Sequence, residues 1–297
     1  MKEIQKSINP ISWEFLTEDK SIFYRYCMSH GIPIPKLFAI FFKTTTGWSF
    51  NGSTLENKDD WNTFFDKDIP SEFVIKPSRG VYGKGINIYS KTNNGLHDPF
   101  GKSYKIEDLY EIMYSDPRYN CFVIQERLKN HPELVRLTHI QFLQTTRIVT
   151  LFDTKGECQL LFAFFKPIIG QNVKDNFEWG RTGNLKGEVS LNTGTITSVE
   201  TMMPNKLGMK PVFFHPRTGI PFEGFQLPFW KETCLLVKDV AHKFLPIKTI
   251  GWDVAITPTG PCIVEGNMWW DPSHLHEVTD VDVVSAITGN SSLFMIV

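Results

Sequence analysis

The sequence predicts an α+β fold in which antiparallel sheets are prominent. Strand-length apolar runs follow one another across short turns, as at 146–152 and 159–165. Few segments carry the helical period, and the strongest of them is 229–244. Two more apolar runs flank Pro258-Thr259-Gly260 and predict a closing hairpin over 250–267.

The other elements follow from the same two periodicities. We expect helices over 17–30, around Trp61 and over 106–114, and strands over 36–43, 73–77, 86–90 and 121–125. Thr17 precedes two acids and is the expected N-cap of the first helix, which Gly31 ends. Alternation over 189–199 predicts another strand, and the polar, glycine-containing stretch 171–187 predicts a long functional loop.

Length and composition are those of an ordinary globular protein. The chain has 297 residues, of which 41% are hydrophobic and 21% charged. This length allows one or two closely associated domains. The net charge of −1 gives no sign of a nucleic acid or a membrane surface as an electrostatic partner.

Cysteine usage and the N-terminus indicate the compartment. The five cysteines are scattered and form no CxxC pair, which argues against a disulfide framework and against a zinc site. The N-terminus lacks the apolar run of a signal peptide, and no segment has the length of a membrane-spanning helix. We therefore expect a reduced, soluble, cytoplasmic protein.

The closing hairpin carries three oxygen donors, Asp253, Glu265 and Asn267. A three-residue loop at Pro258-Thr259-Gly260 would pair Thr257 with Pro261 and so place Asp253 opposite Glu265. Glu265 and Asn267 share a face because strand side chains alternate. Such a set suits Mg²⁺, which takes one or two carboxylates and leaves its other positions to water and phosphates. The alternative is an ordinary hairpin with its acids in solvent.

A second signal is a lysine in a strand that leads into a glycine loop. Lys76 lies among apolar residues, and the loop 78–85 follows at once. Bare backbone amides in such a loop approach phosphates, and a strand-borne lysine holds their charge. The loop leads into a strand, so it is neither a Rossmann nor a Walker arrangement. The alternative is a glycine-rich turn with surface lysines.

These two signals, in this order, resemble the ATP-grasp superfamily. Asp19-Lys20 followed by Gly31-Ile-Pro-Ile-Pro35 looks like the opening helix of that superfamily, and Ile124-Gln-Glu-Arg-Leu128 looks like its adenine hinge. The resemblance implies ATP contacts from Lys20, Lys76, Ser78, Gly80, Gly83, Lys84, Gly85, Gln125, Glu126, Arg127 and Leu128. It implies Mg²⁺ ligation by Asp253, Glu265 and Asn267.

Within the superfamily, the chain is most similar to the sugar-transfer-associated ATP-grasp group. The likeness spans about 17–270 and rests on 146–150, 173–177, 215–219 and the Gly251-Trp-Asp and Glu265-Gly-Asn segments. The chain departs from the group at Glu178-Trp179-Gly180 and at Met268-Trp269-Trp270, where smaller residues are usual. Trp269 and Trp270 are open to two interpretations, contact with substrate or core packing.

The resemblance implies the ATP-grasp fold, with two α/β subdomains whose antiparallel sheets clasp ATP and a short N-terminal helical segment. The expected divisions are 1–70 for that segment, 71–128 for the small lid subdomain and 129–297 for the large one. The implied activity joins a small-molecule or peptide carboxylate to an amine through an acyl-phosphate. Arg147, Lys76, Asn176 and Arg181 are the candidate catalytic residues, and for Arg147 the alternative is a structural ion pair.

Two other classes of function remain open at this stage. One is a kinase or phosphotransferase of the same fold acting on a small molecule or sugar, and it would release a phosphorylated product. The other is a non-catalytic nucleotide-binding protein. No nucleic acid or membrane partner is expected, and a homodimer is left open.

Overall fold

A computed structural model describes residues 2–44, 46–80, 83–93, 95–203 and 208–271. Within this part of the chain, the residues form two compact units. The smaller unit contains 19–29 and 34–128, and the larger contains 2–18, 30–33 and 129–271. Of the expected N-terminal segment, 2–18 and 30–33 lie in the larger unit and 19–29 and 34–70 in the smaller one. The divisions expected at 70 and 128 stay predictions.

The smaller unit is built on an eight-stranded antiparallel sheet with the strand order β3-β2-β1-β8-β4-β5-β6-β7. The strands are β1 (Leu37–Phe42), β2 (Gly47–Ser49), β3 (Thr54–Leu55), β4 (Glu72–Pro77), β5 (Asn87–Thr92), β6 (Gly95–His97), β7 (Ser103–Tyr104) and β8 (Cys121–Glu126). Its helices are α3 (Lys20–Ser29), α4 (Lys58–Thr63) and α5 (Ile106–Ser115), with a π-helical turn over Phe64–Asp68. The predicted strands and the helix at 106–114 are present with boundaries shifted by one or two residues.

Alternation along β4 separates a core face from a polar face of this sheet. Phe73 and Ile75 belong to an aromatic cluster with Phe41 and Trp61. Lys76 therefore points to the opposite face, where α3 packs on β8. The apolar cluster fixes the sheet and leaves that second face to carry polar groups.

The first predicted helix is divided in the structure, and its cap was wrongly predicted. Thr17 lies inside the short helix α2 (Phe15–Glu18), while α3 begins at Lys20. Asp19 caps α3, because its Oδ1 accepts hydrogen bonds from Ser21 N at 2.9 Å and Ser21 Oγ at 2.6 Å. Threonine and aspartate both act as N-caps, so residue type alone does not decide between Thr17 and Asp19.

The larger unit is built on a seven-stranded antiparallel sheet with the order β13-β12-β11-β10-β9-β14-β15. The strands are β9 (Thr145–Phe152), β10 (Cys158–Phe165), β11 (Lys186–Val189), β12 (Ile196–Met202), β13 (Met209–Pro211), β14 (Thr249–Thr257) and β15 (Gly260–Asn267). Its helices are α1 (Lys2–Ile8), α2, α6 (Pro132–Thr138) and α7 (Trp230–Lys243). Helix α7 is the predicted 229–244 helix, whereas the composition gave no sign of α6.

One face of this sheet is covered by α7. Phe244 at the end of α7 packs edge-on against Trp252, and His242 packs against Phe152. Trp252 is fully buried and donates its indole N–H to Thr150 Oγ1 at 2.9 Å. The residues that alternate with these, including Arg147 and Asp253, stand on the other face.

Two details of this sheet differ from the sequence analysis. The predicted strand 189–199 is two strands, β11 and β12, separated by a turn at 191–194. The hairpin loop has two residues, since Thr257 pairs with Gly260 and not with Pro261. A bulge in β15 beside Val254 takes up the extra residue, and Asp253 still pairs with Glu265. None of the helices among the described residues is long and apolar enough to cross a membrane.

Candidate functional site

Lys76 is a deeply buried predicted phosphate ligand of the smaller unit. Its side chain is only 4% exposed. The ammonium donates a hydrogen bond to the Tyr24 hydroxyl at 2.6 Å and lies 5.0 Å from the centre of the Tyr24 ring. Tyr24 itself has no exposed surface. An uncharged acceptor and an aromatic face are therefore among the groups that position this lysine.

Lys20 begins α3 and reaches the glycine loop. Its backbone N–H donates to Ser78 O at 2.8 Å, and its ammonium donates to Gly80 O at 3.3 Å. Ser78 N donates in turn to Cys121 O. The first turn of α3, the end of β4 and the start of β8 are thus bonded to one another. This network brings Lys20 and the start of the loop together, as the sequence predicts.

The glycine loop runs close to β4 at its far end. Gly85 has a φ of +77°, and a Cβ there would lie 2.7 Å from Pro77 Cγ. Gly80 lies at the near end, and its Cβ would lie 3.3 Å from Lys84 O. Gly83 is half-buried and Lys84 is exposed, while Val81 and Tyr82 lie outside the described residues. The glycines here allow a backbone path that side chains would obstruct, as a phosphate-covering loop requires.

The predicted hinge contains one buried polar atom that has no hydrogen-bond partner among the described residues. Gln125 is buried, and its Oε1 has no hydrogen-bond partner in the described part of the chain. Glu126 is structurally engaged, since its N–H donates to Lys36 O and its carboxylate accepts from Lys36 N. Arg127 pairs with Glu72 at 2.6 Å, and Leu128 is half-buried. A buried, unsatisfied amide oxygen fits the exocyclic amine of a purine base.

In the larger unit, the other predicted residues lie along one row across the sheet. Glu265 pairs with Asp253, Asp253 with Arg147, Arg147 with Phe164, and Phe164 with Glu188. Partners in an antiparallel ladder stand on the same face. The sheet therefore brings Arg147, Asp253 and Glu265 side by side on the face opposite to α7.

Asp253 is held by two cations. Its Oδ1 accepts from Arg147 Nε at 2.6 Å, and its Oδ2 accepts from Arg147 Nη2 at 3.0 Å. This is the bidentate fork that makes arginine suited to carboxylates. Lys166 Nζ lies 3.1 Å from the same Oδ1. From the sequence, Asp253 was expected with the metal ligands and Arg147 with the substrate, and contact between them was not expected.

These cations keep Asp253 ionised. Burial opposes its charge, but the attraction and hydrogen bonds of Arg147 and Lys166 outweigh burial. The pKa of Asp253 therefore lies well below its ordinary value. Burial likewise opposes the charge on Arg147, and the carboxylate of Asp253 reverses the effect, so the pKa of Arg147 is raised.

The loop 171–187 is anchored at Asp175. The Asp175 carboxylate accepts from Thr145 N at 2.8 Å and from Thr145 Oγ1, and it lies 3.5 Å from Lys166 Nζ. Buried Asn184 organises the rest, since its amide donates to Lys174 O at 2.7 Å and Asn176 O at 2.9 Å. These bonds give the long loop a defined backbone beside Arg147 and Lys166.

The two other candidate catalytic residues lie within this loop. The Asn176 backbone oxygen accepts from Thr182 Oγ1 at 2.7 Å, so its position is set by the loop itself. Arg181 is exposed and follows the 3₁₀ turn Glu178–Gly180. The contacts of the described residues join neither side chain to Arg147 or Asp253. Their catalytic roles stay predictions.

The oxygen donors suit a hard divalent cation. Asp253 has few lone pairs left for a metal, because both of its oxygens already contact cations. Glu265 and Asn267 are half-buried, and Asn267 donates its amide N–H to Gly251 O at 3.3 Å, which orients its Oδ1 away from that carbonyl. Asp253 already accepts from Arg147 on both oxygens. Two carboxylates and an amide oxygen fit Mg²⁺. No group of three or more His, Cys, Asp or Glu suited to a metal occurs in the part of the chain that the structure describes.

The two tryptophans after Asn267 have different roles. Trp270 is 1% exposed, packs edge-on against Phe162 and donates to Thr249 Oγ1 at 3.0 Å. Trp270 is therefore a core residue, which decides between the two interpretations for this side chain. Trp269 is half-buried and donates to Glu14 at 3.3 Å.

Three residues of the site were missed by sequence reasoning. Lys166 directly follows the apolar run of β10, and a charged residue at that position was the one available signal for its contact with Asp253. Asp175 directly precedes the predicted Asn176. Tyr24 lies four residues after Lys20, on the same side of α3. The last two have no distinguishing pattern of their own.

Comparisons with known proteins concern the family and the fold of this chain. The family model for sugar-transfer associated ATP-grasp proteins matches residues 1–280. Among solved structures, D-alanyl-alanine synthetase A of Vibrio cholerae matches 92% of this chain and 65% of its own, with 10% identity and a TM-score of 0.51. A comparison with curated proteins finds no match.

A second solved structure is the biotin carboxylase domain of a 2-oxoglutarate carboxylase from Hydrogenobacter thermophilus, in complex with MgADP and bicarbonate. It matches 93% of this chain and 46% of its own, with 13% identity and a TM-score of 0.50. The chain spans about half to two thirds of the length of the structures it matches. At such low identity these likenesses concern the fold, which is the ATP-grasp fold. By the match over most of its length, the chain belongs to the sugar-transfer associated ATP-grasp family.

Proposed function

We propose that this protein is an ATP- and Mg²⁺-dependent ligase that activates a carboxylate as an acyl-phosphate and transfers the acyl group to an amine. The observation that carries the proposal is the buried pair of cations, Arg147 and Lys166, on the carboxylate of Asp253. Family membership and the fold support the nucleotide part of the proposal. The acid and the amine are small molecules or peptides.

Lys20, Lys76 and the glycine loop are assigned to the triphosphate. Lys76 is buried and held by Tyr24, so its charge is placed before any nucleotide arrives. Phosphoryl transfer is mostly positioning and charge neutralisation, which makes such prior placement valuable. Gln125 Oε1 is assigned to the amine of adenine because it is buried and unsatisfied among the described residues.

Arg147 is assigned to the reacting carboxylate and to the acyl-phosphate that forms from it. In the first step, a carboxylate oxygen attacks the γ-phosphorus of ATP and the bond to the β-phosphate oxygen breaks, which releases ADP. In the second step, the amine nitrogen attacks the acyl carbon, the carbon–oxygen bond to phosphate breaks, and the amine loses a proton. A guanidinium fork fits the oxygens of both anions.

Glu265 and Asn267, with the remaining lone pair of Asp253, are the residues that would hold Mg²⁺. The metal would neutralise charge on the β- and γ-phosphates. What the chain itself contributes is the placement of these oxygens: Glu265 and Asp253 are ladder partners, and Asn267 lies opposite Gly251.

The test supplies panels of carboxylic acids and amines and measures ADP, AMP and phosphate separately. A ligase gives ADP and phosphate only when both acid and amine are present. Stable phosphorylated product without an amine would instead identify a kinase. Lack of ATP binding in calorimetry would contradict both enzymes and leave the protein without the proposed function.

Glu265→Gln is the matched variant for the metal assignment. We expect it to remove turnover and Mn²⁺ binding while the protein remains folded, because the amide keeps the shape but loses the charge. Glu157→Gln makes the same change at an exposed position next to β10 and is expected to leave both unchanged. A fully active Glu265→Gln variant would refute the metal assignment.

A further inference from the structure

The ladder of the closing hairpin ends at the candidate metal ligand Asn267. Its last pair joins Asn267 to Gly251, and β14 extends two residues beyond that pair, to Thr249. A residue at the end of a ladder has backbone rungs on one side only, because the pairing stops there. The contacts directly after Asn267 therefore decide how firmly its side chain is oriented.

The N-terminal segment supplies these contacts. Three of its side chains bind the three consecutive residues that follow Asn267. The hydrogen bonds are Asn9 Nδ2 to Met268 O at 3.2 Å, Trp269 Nε1 to Glu14 Oε1 at 3.3 Å and Gln5 Nε2 to Trp270 O at 2.9 Å. The partners lie at opposite ends of the described chain but within the larger unit. The end of the hairpin is thus docked on residues 5–14.

Asn9 also binds the other strand of the hairpin. Its Nδ2 donates to Thr249 O at 3.0 Å as well as to Met268 O, and its Oδ1 accepts from Lys248 N at 2.9 Å and Thr249 N at 3.1 Å. An amide side chain has two N–H donors and two acceptor lone pairs, and this one uses all four. Gln5 is buried too, but its Oε1 has no hydrogen-bond partner among the described residues. Asn9 therefore continues the ladder past its last backbone pair with a side chain.

We infer that Asn9 is a positioning residue for Mg²⁺ binding at Asn267. Asn9 joins Met268, which directly follows the ligand, to Thr249, which lies two residues before the ladder partner of the ligand. The amide of Asn267 donates to the carbonyl of that partner, Gly251, at 3.3 Å. The relative position of the two strand ends therefore sets the direction of Asn267 Oδ1, the atom that would contact the metal. The inference rests on the proposed function, because Asn267 is a metal ligand only in that assignment.

A purely structural role for Asn9 makes a different prediction. Loss of a buried, hydrogen-bonded asparagine lowers folding stability wherever it occurs and has no specific effect on a ligand. Asn130 is the matched case in the same unit. It is 5% exposed, and its side chain bonds to Ile140 O, Phe142 O and Gln144 N at 3.3, 2.7 and 2.9 Å. A comparison of the two asparagines therefore separates positioning from stability.

The experiment measures the Mn²⁺ affinity of the full chain by electron paramagnetic resonance and the urea unfolding of the same samples. Asn9→Ala is expected to weaken Mn²⁺ binding by about tenfold, because loss of an outer-shell partner typically weakens a metal site by about 10–100-fold. Asn130→Ala is expected to lower the urea midpoint to a similar degree and to leave Mn²⁺ affinity unchanged. ATP binding in EDTA, assigned to Lys20 and Lys76 of the smaller unit, should be unchanged in both variants.

Asn9→Asp tests the donor side of the amide separately. An ionised aspartate can still accept from Lys248 N and Thr249 N, but it has no proton to donate to the carbonyl of Met268. We expect Mn²⁺ affinity to fall as in Asn9→Ala. The added negative charge by itself would act in the opposite direction, because it attracts the metal.

Two results would overturn the inference while the proposed function stands. One is an Asn9→Ala variant that binds Mn²⁺ as tightly as the wild type, when Glu265→Gln has lost the metal. If Asn9→Ala does not fold, unchanged or tighter Mn²⁺ binding by Asn9→Asp contradicts the inference in the same way. The other result is an Asn130→Ala variant that loses as much Mn²⁺ affinity as Asn9→Ala. If the wild-type protein binds no Mn²⁺, the metal assignment of the proposed function fails and the inference fails with it.

Discussion

The contacts of the smaller unit's cations include uncharged acceptors, whereas two cations of the larger unit share one carboxylate. In the smaller unit, Lys76 donates to the hydroxyl of Tyr24 and Lys20 to the carbonyl of Gly80. In the larger unit, Arg147 and Lys166 are bonded to the carboxylate of Asp253. Uncharged acceptors orient a cation and leave its field intact. Carboxylates orient a cation and cancel its field.

The two arrangements are two ways of positioning a cation for phosphate binding. Loss of a lysine that donates to a hydroxyl leaves that hydroxyl neutral. An arginine on a buried carboxylate is stable in the free protein, and its loss leaves a buried carboxylate with one cation fewer. The same kind of substitution is therefore expected to affect binding in one unit and folding in the other.

The largest effect is expected for Arg147→Met, with a loss of about 3–5 kcal/mol in the free energy of unfolding. Asp253 would keep Lys166 but lose the bidentate guanidinium. Urea unfolding followed by circular dichroism measures the loss. Arg147→Lys retains a charge and should cost less. A loss below about 1 kcal/mol for Arg147→Met would show that the pair is no stronger than a surface ion pair.

Lys76→Met is expected to act on nucleotide binding. Removing one charge-assisted contact should weaken ATP binding by about 10–100-fold, since such contacts contribute about 1.5–3 kcal/mol. The buried stem of the side chain is replaced by a methionine of similar length, and the group left behind is the neutral hydroxyl of Tyr24. Calorimetry with ATP and urea unfolding of the same sample separate the two effects. If Lys76→Met lowers the free energy of unfolding by more than the free energy of ATP binding, the contrast between the two units is contradicted.

Acid should remove the stabilisation that Asp253 provides. The pKa of Asp253 in the folded protein is held below its ordinary value, and the unfolded chain has a pKa of about 3.9 at an aspartate. The contribution is therefore fully present above about pH 5 and is lost as the pH falls through the folded-state pKa. The difference in unfolding free energy between wild type and Asp253→Asn should shrink between pH 7 and pH 3. A constant difference would contradict the charge assignment.

The smallest effect is expected for Tyr24→Phe. It removes one hydrogen bond to Lys76 and keeps the ring beneath the ammonium. We expect a loss of about 0.5–1.5 kcal/mol in ATP binding. The Michaelis constant for ATP should rise while the maximal rate changes little. An unchanged constant would mean that the ring alone positions the lysine.

Much of the fold follows from local patterns, because a buried strand or an amphipathic helix repeats its signal over many residues. Helix α7 and strands β9 and β10 are examples. The cap of α3 and the start of α6 each depend on one or two residues that have several acceptable alternatives. The helix assigned to Thr17 begins instead after Asp19 for this reason.

In the hairpin, the pairing of Asp253 with Glu265 was predicted correctly from an incorrect loop length. A three-residue loop was expected to place Asp253 opposite Glu265. The loop has two residues, and a bulge beside Val254 restores the same pairing. Bulges depend on packing across the sheet, which the order of residues in one strand does not encode.

The site could be predicted only as separate sets of residues. The sequence identified Asp253 and Arg147 by residue type and position, and it assigned them to different tasks. Their contact depends on β9 lying next to β14, although 106 positions separate the two residues along the chain. Lys166 enters the same cluster from β10. Such long-range neighbours follow from the order of strands in the sheet, which no local pattern specifies.

Gly251 has a consequence for sequence variation among relatives. A Cβ at this position would lie 2.8 Å from Trp270 Cβ and 3.2 Å from Arg147 Cδ. One residue without a side chain thus makes room for a tryptophan and an arginine from two other segments. Substitutions at these three positions should be correlated: a relative with a larger residue at 251 is expected to have lost the bulky side chain at 147, at 270 or at both.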